Sequence, residues 1–90
     1  MQTLPRIVAD FNHLGYDAPD VIPLGTSDSP NLHGQELRDG MEGVFFEPGE
    51  MEARGVLRRR ILPSGDIEWE AVIDLSTLRH YYTIDAQGVI

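Results

Sequence analysis

The stretch VLRRRILPSGDIEWEAVI, residues 56–73, sets three consecutive arginines before a Pro-Ser-Gly break and three alternating acids after it. With Arg54 just upstream, this region holds four of the seven basic residues in the chain. Two readings compete: a phosphate-binding patch, or one half of a hairpin whose charges are answered across the turn. Pro63-Ser64-Gly65 suits a three-residue hairpin loop, with Gly65 in the left-handed position that such loops favour. Counting back from that loop sets Ile61 opposite Ile67, Arg60 opposite Glu68, Arg59 opposite Trp69 and Arg58 opposite Glu70. It continues with Leu57 opposite Ala71, Val56 opposite Val72, Gly55 opposite Ile73 and Arg54 opposite Asp74.

In this register one face collects Leu57, Ile61, Ile67, Trp69, Ala71 and Ile73. The other carries three pairs of opposite charge, Arg60/Glu68, Arg58/Glu70 and Arg54/Asp74, each worth roughly 0.2–1 kcal/mol. A two-residue Ser64-Gly65 turn would slip the register by one, bring Ile61 opposite Glu68 and mix both faces, so it is rejected. Arg59 falls on the apolar side, where its guanidinium is expected to stack on the Trp69 indole. The arginine triplet therefore reads as half of a neutralised ladder. A nucleic-acid surface needs net positive potential and exposed stacking aromatics, and neither is evident.

Further strands flank this hairpin. MEGVFFE (41–47) alternates as a strand, and Pro48-Gly49 fits the central positions of a type II turn. The long strand then runs over 51–62, with Gly55 marking a bulge or sharp bend. Its partner spans 66–75. STLRH (76–80) is expected as a single helical turn, YYTID (81–85) as a strand, AQG (86–88) as a turn and Val89-Ile90 as a short terminal pairing. Residues 37–90 thus form a β unit of short strands joined by Gly and Pro turns.

Two segments precede it. In residues 3–14, Ile7, Val8, Phe11 and Leu14 recur at helical spacing, Thr3 can cap, Pro5 is tolerated in the first turn and Gly15 can stop the helix. Residues 1–15 are therefore expected to form a short helix. Residues 16–36 are rich in Pro, Gly, Asp and Ser, which break regular structure. They are expected to form a long ordered loop, held down by Val21, Ile22, Leu24 and Leu32 or serving as a binding loop. The fold class that follows is mainly β. It is a small, strongly bent antiparallel sheet or SH3-like partly open barrel of about five strands, with a short N-terminal helix and a long ordered loop. Residues 1–90 are read as a single domain.

Composition narrows function more than it identifies it. At 41% hydrophobic and 24% charged, the chain is an ordinary globular composition. No cysteine is present, so disulfides and thiolate metal sites are excluded. No apolar run is long enough to span a bilayer, and the N-terminus lacks the apolar core of a signal peptide, which points to the cytoplasm. The net charge is −8, concentrated in residues 1–50. That field repels phosphate backbones and anionic lipid, so neither nucleic acid nor membrane is an expected partner.

Candidate chemistry is sparse. His13, His33 and His80 are dispersed and show no metal-ligand spacing. Ser27, Ser29, Ser64 and Ser76 sit in no nucleophile elbow. Asp17, Asp20 and Asp28 share the long segment without the spacing of a calcium loop. No catalytic, cofactor or metal site is expected. The doublets Phe45-Phe46 and Tyr81-Tyr82 offer the best hint of a partner surface, since in a strand one member of each turns outward.

Three functions are carried forward. The first is a non-catalytic protein-interaction module, self-association included, using Phe45, Phe46, Tyr81 and Tyr82. The second is a small acidic inhibitor or immunity-type protein that docks on a basic partner through Asp17, Asp20, Asp28, Glu36 and Asp39. The third is a metal-binding protein or enzyme built on the histidines.

Overall fold

A computed structural model describes residues 4–16, 18–26 and 36–81. Among the described residues, six strands form one curled, open half-barrel sheet. They are β1 (Arg6–Val8), β2 (Val21–Thr26), β3 (Glu42–Glu47), β4 (Met51–Ile61), β5 (Ile67–Ile73) and β6 (Arg79–His80). Five of them run in the order β1-β3-β4-β5-β2, and β6 attaches to β4.

The β4–β5 hairpin anchors this arrangement. Leu62 N donates to Asp66 O at 2.8 Å, Gly65 N donates to Leu62 O at 2.9 Å, and Gly65 has φ +91°. A side chain at that φ would crowd its own backbone, so glycine sets the turn and the turn sets the register. The resulting pairs run from Ile61↔Ile67 through Arg59↔Trp69 to Gly55↔Ile73, as counted from the sequence. At the far end Asp74 N donates to Arg54 O at 2.8 Å, which extends the ladder by one step. The β3–β4 turn closes with Glu50 N donating to Glu47 O at 3.0 Å.

Gly55 is not a bulge. It pairs with Gly43 on one side and Ile73 on the other without a break in register. Its role is close approach: a Cβ there would lie 2.5 Å from the Val72 carbonyl oxygen. At this point β4 changes partners. Its first residues pair with β3 and β6, and the residues from Gly55 onward pair with β5. One long strand thereby serves both halves of a curled sheet.

The expected N-terminal helix is absent. Its place is taken by β1 and a 3-10 turn at Phe11–His13. Arg6, Ile7 and Val8 lie parallel to Val44, Phe45 and Phe46, so the sheet is mixed rather than wholly antiparallel. Ile7 is buried and its two neighbours are exposed, the period of a strand. Phe11 is then tucked inward, with its backbone N–H donating to Glu47 Oε1 at 2.9 Å.

Part of the expected long loop is also a strand. Val21–Thr26 pairs antiparallel with β5 and carries a bulge between Pro23 and Gly25. Ile73 N donates to Asp20 O at 2.7 Å. By the alternation of antiparallel bonding, Ile22 then bonds to β5, while Val21 and Pro23 turn their backbone groups outward. Val21 meets Ala18 O and Gly15 N there, at 3.2 Å each. Pro23 has no N–H to offer, so a proline is tolerated on this edge. Val21, Ile22 and Leu24 are all buried, while Leu32 lies outside the described residues.

The core lies on one face of the sheet. Ile7, Phe45, Leu57 and Ile22 are essentially inaccessible, joined by Ala53, Trp69, Ala71, Ile73, Leu24, Ala9 and Phe11. Burying a side chain of this size stabilises by about 1.5–3 kcal/mol each. A second 3-10 turn, Leu75–Thr77, follows β5, where the sequence suggested a helical turn over 76–80. It is capped by Asp74, whose carboxylate accepts from Ser76 N at 3.1 Å and Ser76 Oγ at 2.6 Å. Thr77 Oγ1 accepts from Arg54 N at 2.8 Å, so a side chain covers the β4 edge just before β6 begins. The elements expected after His80 lie outside the described residues apart from Tyr81.

Candidate interaction surface

The face opposite the core carries the charges. Arg58 Nε donates to Glu70 Oε1 at 2.7 Å, and Arg60 Nη1 lies 3.8 Å from Glu68 Oε1. These are two of the three pairs expected from the register. The third differs: Arg54 reaches Glu42 on β3 at 3.5 Å, because the Asp74 carboxylate is engaged in capping the turn that follows. Exposed pairs of this kind contribute about 0–1 kcal/mol each.

Arg58–Glu70 is a special case, because the Glu70 side chain is only 4% exposed while Arg58 is 51% exposed. Removing the arginine strands a buried carboxylate, whereas removing the carboxylate leaves an arginine that water can reach. Arg58→Ala is therefore expected to cost about 2 kcal/mol. Glu70→Gln is expected to cost about 1 kcal/mol. Urea titrations of both variants check the order, and equal costs would contradict it.

At the other end of the same face, residues from three elements converge. Tyr81 Oη donates to Glu52 Oε1 at 2.6 Å, Arg6 Nη2 lies 3.6 Å from the same oxygen, and Arg6 Nη2 donates to Tyr81 Oη at 3.4 Å. The Arg6 guanidinium also sits over the Phe46 ring, 4.7 Å from its centre. The hydrogen bond from Tyr81 holds the Glu52 carboxyl below its ordinary value, with Arg6 and Arg79 acting in the same sense and burial against it. The same bond pushes the Tyr81 hydroxyl upward.

A lowered carboxylate stabilises above its unfolded value, near 4.5, and that contribution disappears as pH falls through the folded value. A raised phenol stabilises below its unfolded value of 10.0 and loses that contribution as pH rises through the folded value. The stability gap between wild type and Tyr81→Phe is thus expected to be on the order of 1 kcal/mol at neutral pH and to narrow at both extremes. Urea titrations across the pH range check it; a pH-independent gap would show that the hydroxyl acts only through packing.

The aromatic candidates therefore divide. Phe45 belongs to the core, Phe46 is half-buried beneath Arg6, and Tyr81 is half-buried on Glu52. Tyr82 lies outside the described residues, as do Asp17, Asp28 and His33. Asp20 is half-buried and gives its carbonyl to β5. Glu36 and Asp39 are exposed, and Asp39 Oδ1 accepts from Arg59 N at 3.0 Å.

His13 lies 3.7 Å from Asp10 and against the Tyr16 ring, while His80 pairs with Met51 in the sheet. Among the described residues no group of three or more His, Asp or Glu is placed to hold a metal ion. No described helix is long and apolar enough to cross a membrane. A groove of about 330 Å³ between Glu42, Arg54, Gly55, Val56, Asp74 and Thr77 is open to solvent and mixes both signs of charge.

The sequence reading missed the end of the β4–β5 hairpin. Among the described residues, the last pair between β2 and β5 is Thr26↔Glu68. The next pair, Ile61↔Ile67, lies on the core-facing side, yet Ile61 is 69% exposed and Ile67 36% exposed. Arg59, one step inward on the same side, is also exposed; its guanidinium does not stack on Trp69, and the ring that carries a guanidinium is Phe46. Unlike Arg6, Arg54, Arg58 and Arg60, the Arg59 side chain meets no carboxylate among the described residues.

No family model, curated protein or solved structure matches this chain.

Proposed function

We propose that the chain is a non-catalytic protein-interaction module whose contact surface is the core-facing side of the β4–β5 hairpin tip. One observation carries this reading: Ile61 and Ile67 form an apolar cross-strand pair that the rest of the described sheet does not cover, beside Arg59, whose side chain meets no carboxylate among the described residues. Apolar surface left in water costs about 25 cal/mol per Å², and a partner that covers it recovers that energy. The aromatic doublets support the reading less, because Phe46 and Tyr81 already have intramolecular partners.

The test is site-specific cross-linking. A photoreactive phenylalanine analogue is placed at position 61 or, as a control, at exposed position 48, and the variants are irradiated in cells that produce the protein. Discrete adducts from position 61 that are missing from position 48 are expected. Identical patterns from both positions, or none from position 61, would refute the surface.

A further inference from the structure

Resting on that reading, we infer that the hairpin tip receives a short, carboxylate-bearing apolar segment of a partner protein. Two observations converge on this chemistry. The pair Ile61↔Ile67 supplies an exposed aliphatic ridge. Arg59 supplies a guanidinium on the same side, one step inward, and its ladder neighbours Arg58 and Arg60 are already answered by Glu70 and Glu68. Trp69 lies directly across from Arg59 and is buried, so it reports on the site without contacting the segment. This side of the hairpin thus offers a guanidinium and apolar surface, and the Asp39 carboxylate beside it is bonded to the Arg59 backbone N–H, not to the side chain.

A guanidinium takes a carboxylate through two parallel N–H···O bonds, which fixes orientation as well as charge. Aliphatic side chains flanking that carboxylate then cover the isoleucines. A segment with basic residues is disfavoured, because it would stand against Arg59.

Size separates a segment from a folded partner. Standard interfaces between folded proteins bury about 800 Å² on each side. Two isoleucines and one arginine offer much less, and a second copy would also bring together two bodies of net charge −8. A short segment carries only one or two acids, and beyond about 8 Å the remaining charge of the domain is screened at physiological salt.

Trp69 is the single tryptophan in the chain, so its fluorescence reports on this site. The experiment selects displayed random heptapeptides on the intact protein, then titrates the selected peptides against wild type, Arg59→Gln and Ile61→Ser. Both substituted residues are exposed, and thermal melts verify that the variants keep the wild-type fold. Selected peptides are expected to be enriched in Asp or Glu beside Leu, Ile, Val or Phe. Their Kd is expected to rise at least about tenfold in each variant, and several-fold when salt is raised.

Peptides without carboxylates, or peptides that Arg59→Gln binds as tightly as wild type, would overturn the inferred partner chemistry while leaving the contact surface in place. Peptides that Ile61→Ser binds as tightly as wild type would overturn the surface itself. A concentration-dependent dimer in sedimentation, abolished by Ile61→Ser, would replace the segment with a second copy.

Discussion

Phe45→Ala is expected to cost about 3–5 kcal/mol. In a small domain whose total stability is about 5–15 kcal/mol, that is enough to leave a substantial unfolded fraction. The ring is fully buried at the centre of the core, on β3 between Ile7 of β1 and Ala53 of β4. Its loss opens a cavity that two flanking strands cannot collapse into without breaking their ladders. The adjacent Phe46→Ala is expected to cost about 2 kcal/mol or less, because its ring lies on the other face, half-buried, with Arg6 as its cover. Chemical denaturation of the two variants measures the contrast. Equal losses would mean that the sheet buries both faces to the same depth.

Gly55→Ala carries the second large effect, expected at about 3 kcal/mol although only a methyl group is added. The new Cβ would meet the Val72 carbonyl oxygen at 2.5 Å and the Ile73 Cα at 3.2 Å. Both are backbone atoms of the paired strand, so relief requires β4 and β5 to separate where β4 exchanges one partner for another. Gly43 is the cross-strand neighbour of Gly55, and its Cβ would meet the Pro5 carbonyl oxygen at 3.2 Å. A shift of a few tenths of an ångström in the short β1 strand accommodates that, so Gly43→Ala is expected to cost about 1 kcal/mol. Urea midpoints compared across the two variants decide it; if Gly43→Ala proves the costlier, the crowding lies at β1 instead.

The parts of this fold that were legible in the sequence are those governed by local rules. The Pro63-Ser64-Gly65 loop sets the pairing of fourteen residues because register follows from turn geometry and the alternation of faces. The third charge pair went elsewhere for an equally local reason. Asp74 stands where the strand ends, and a carboxylate there caps the following turn in preference to crossing to Arg54.

What was not legible depends on distant partners. Ile7, Val8 and Phe11 fit a helix by spacing, and only the neighbouring β3 makes Arg6–Val8 a strand. Pro23 and Gly25 in VIPLGT argue against a central strand and are compatible with an edge bearing a bulge, but a sequence does not announce which strand will be outermost. The candidate surface was missed on the same account. Ile61 and Ile67 are coloured like core residues and sit in the core-facing register, yet both are exposed.

The strand order also dictates a sequence of events. β3, β4 and β5 are successive hairpins, so their pairing closes only short loops and can form first. The two outer strands come from the opposite end of the chain: Arg6 must find Val44, and Val21 must find Val72. A meander without them would have both flanks bare and would leave Phe45, Leu57 and Trp69 short of the cover that β1 and β2 provide. By loop-closure cost, the first 26 residues of the chain are therefore expected to dock last, fastening a meander already paired.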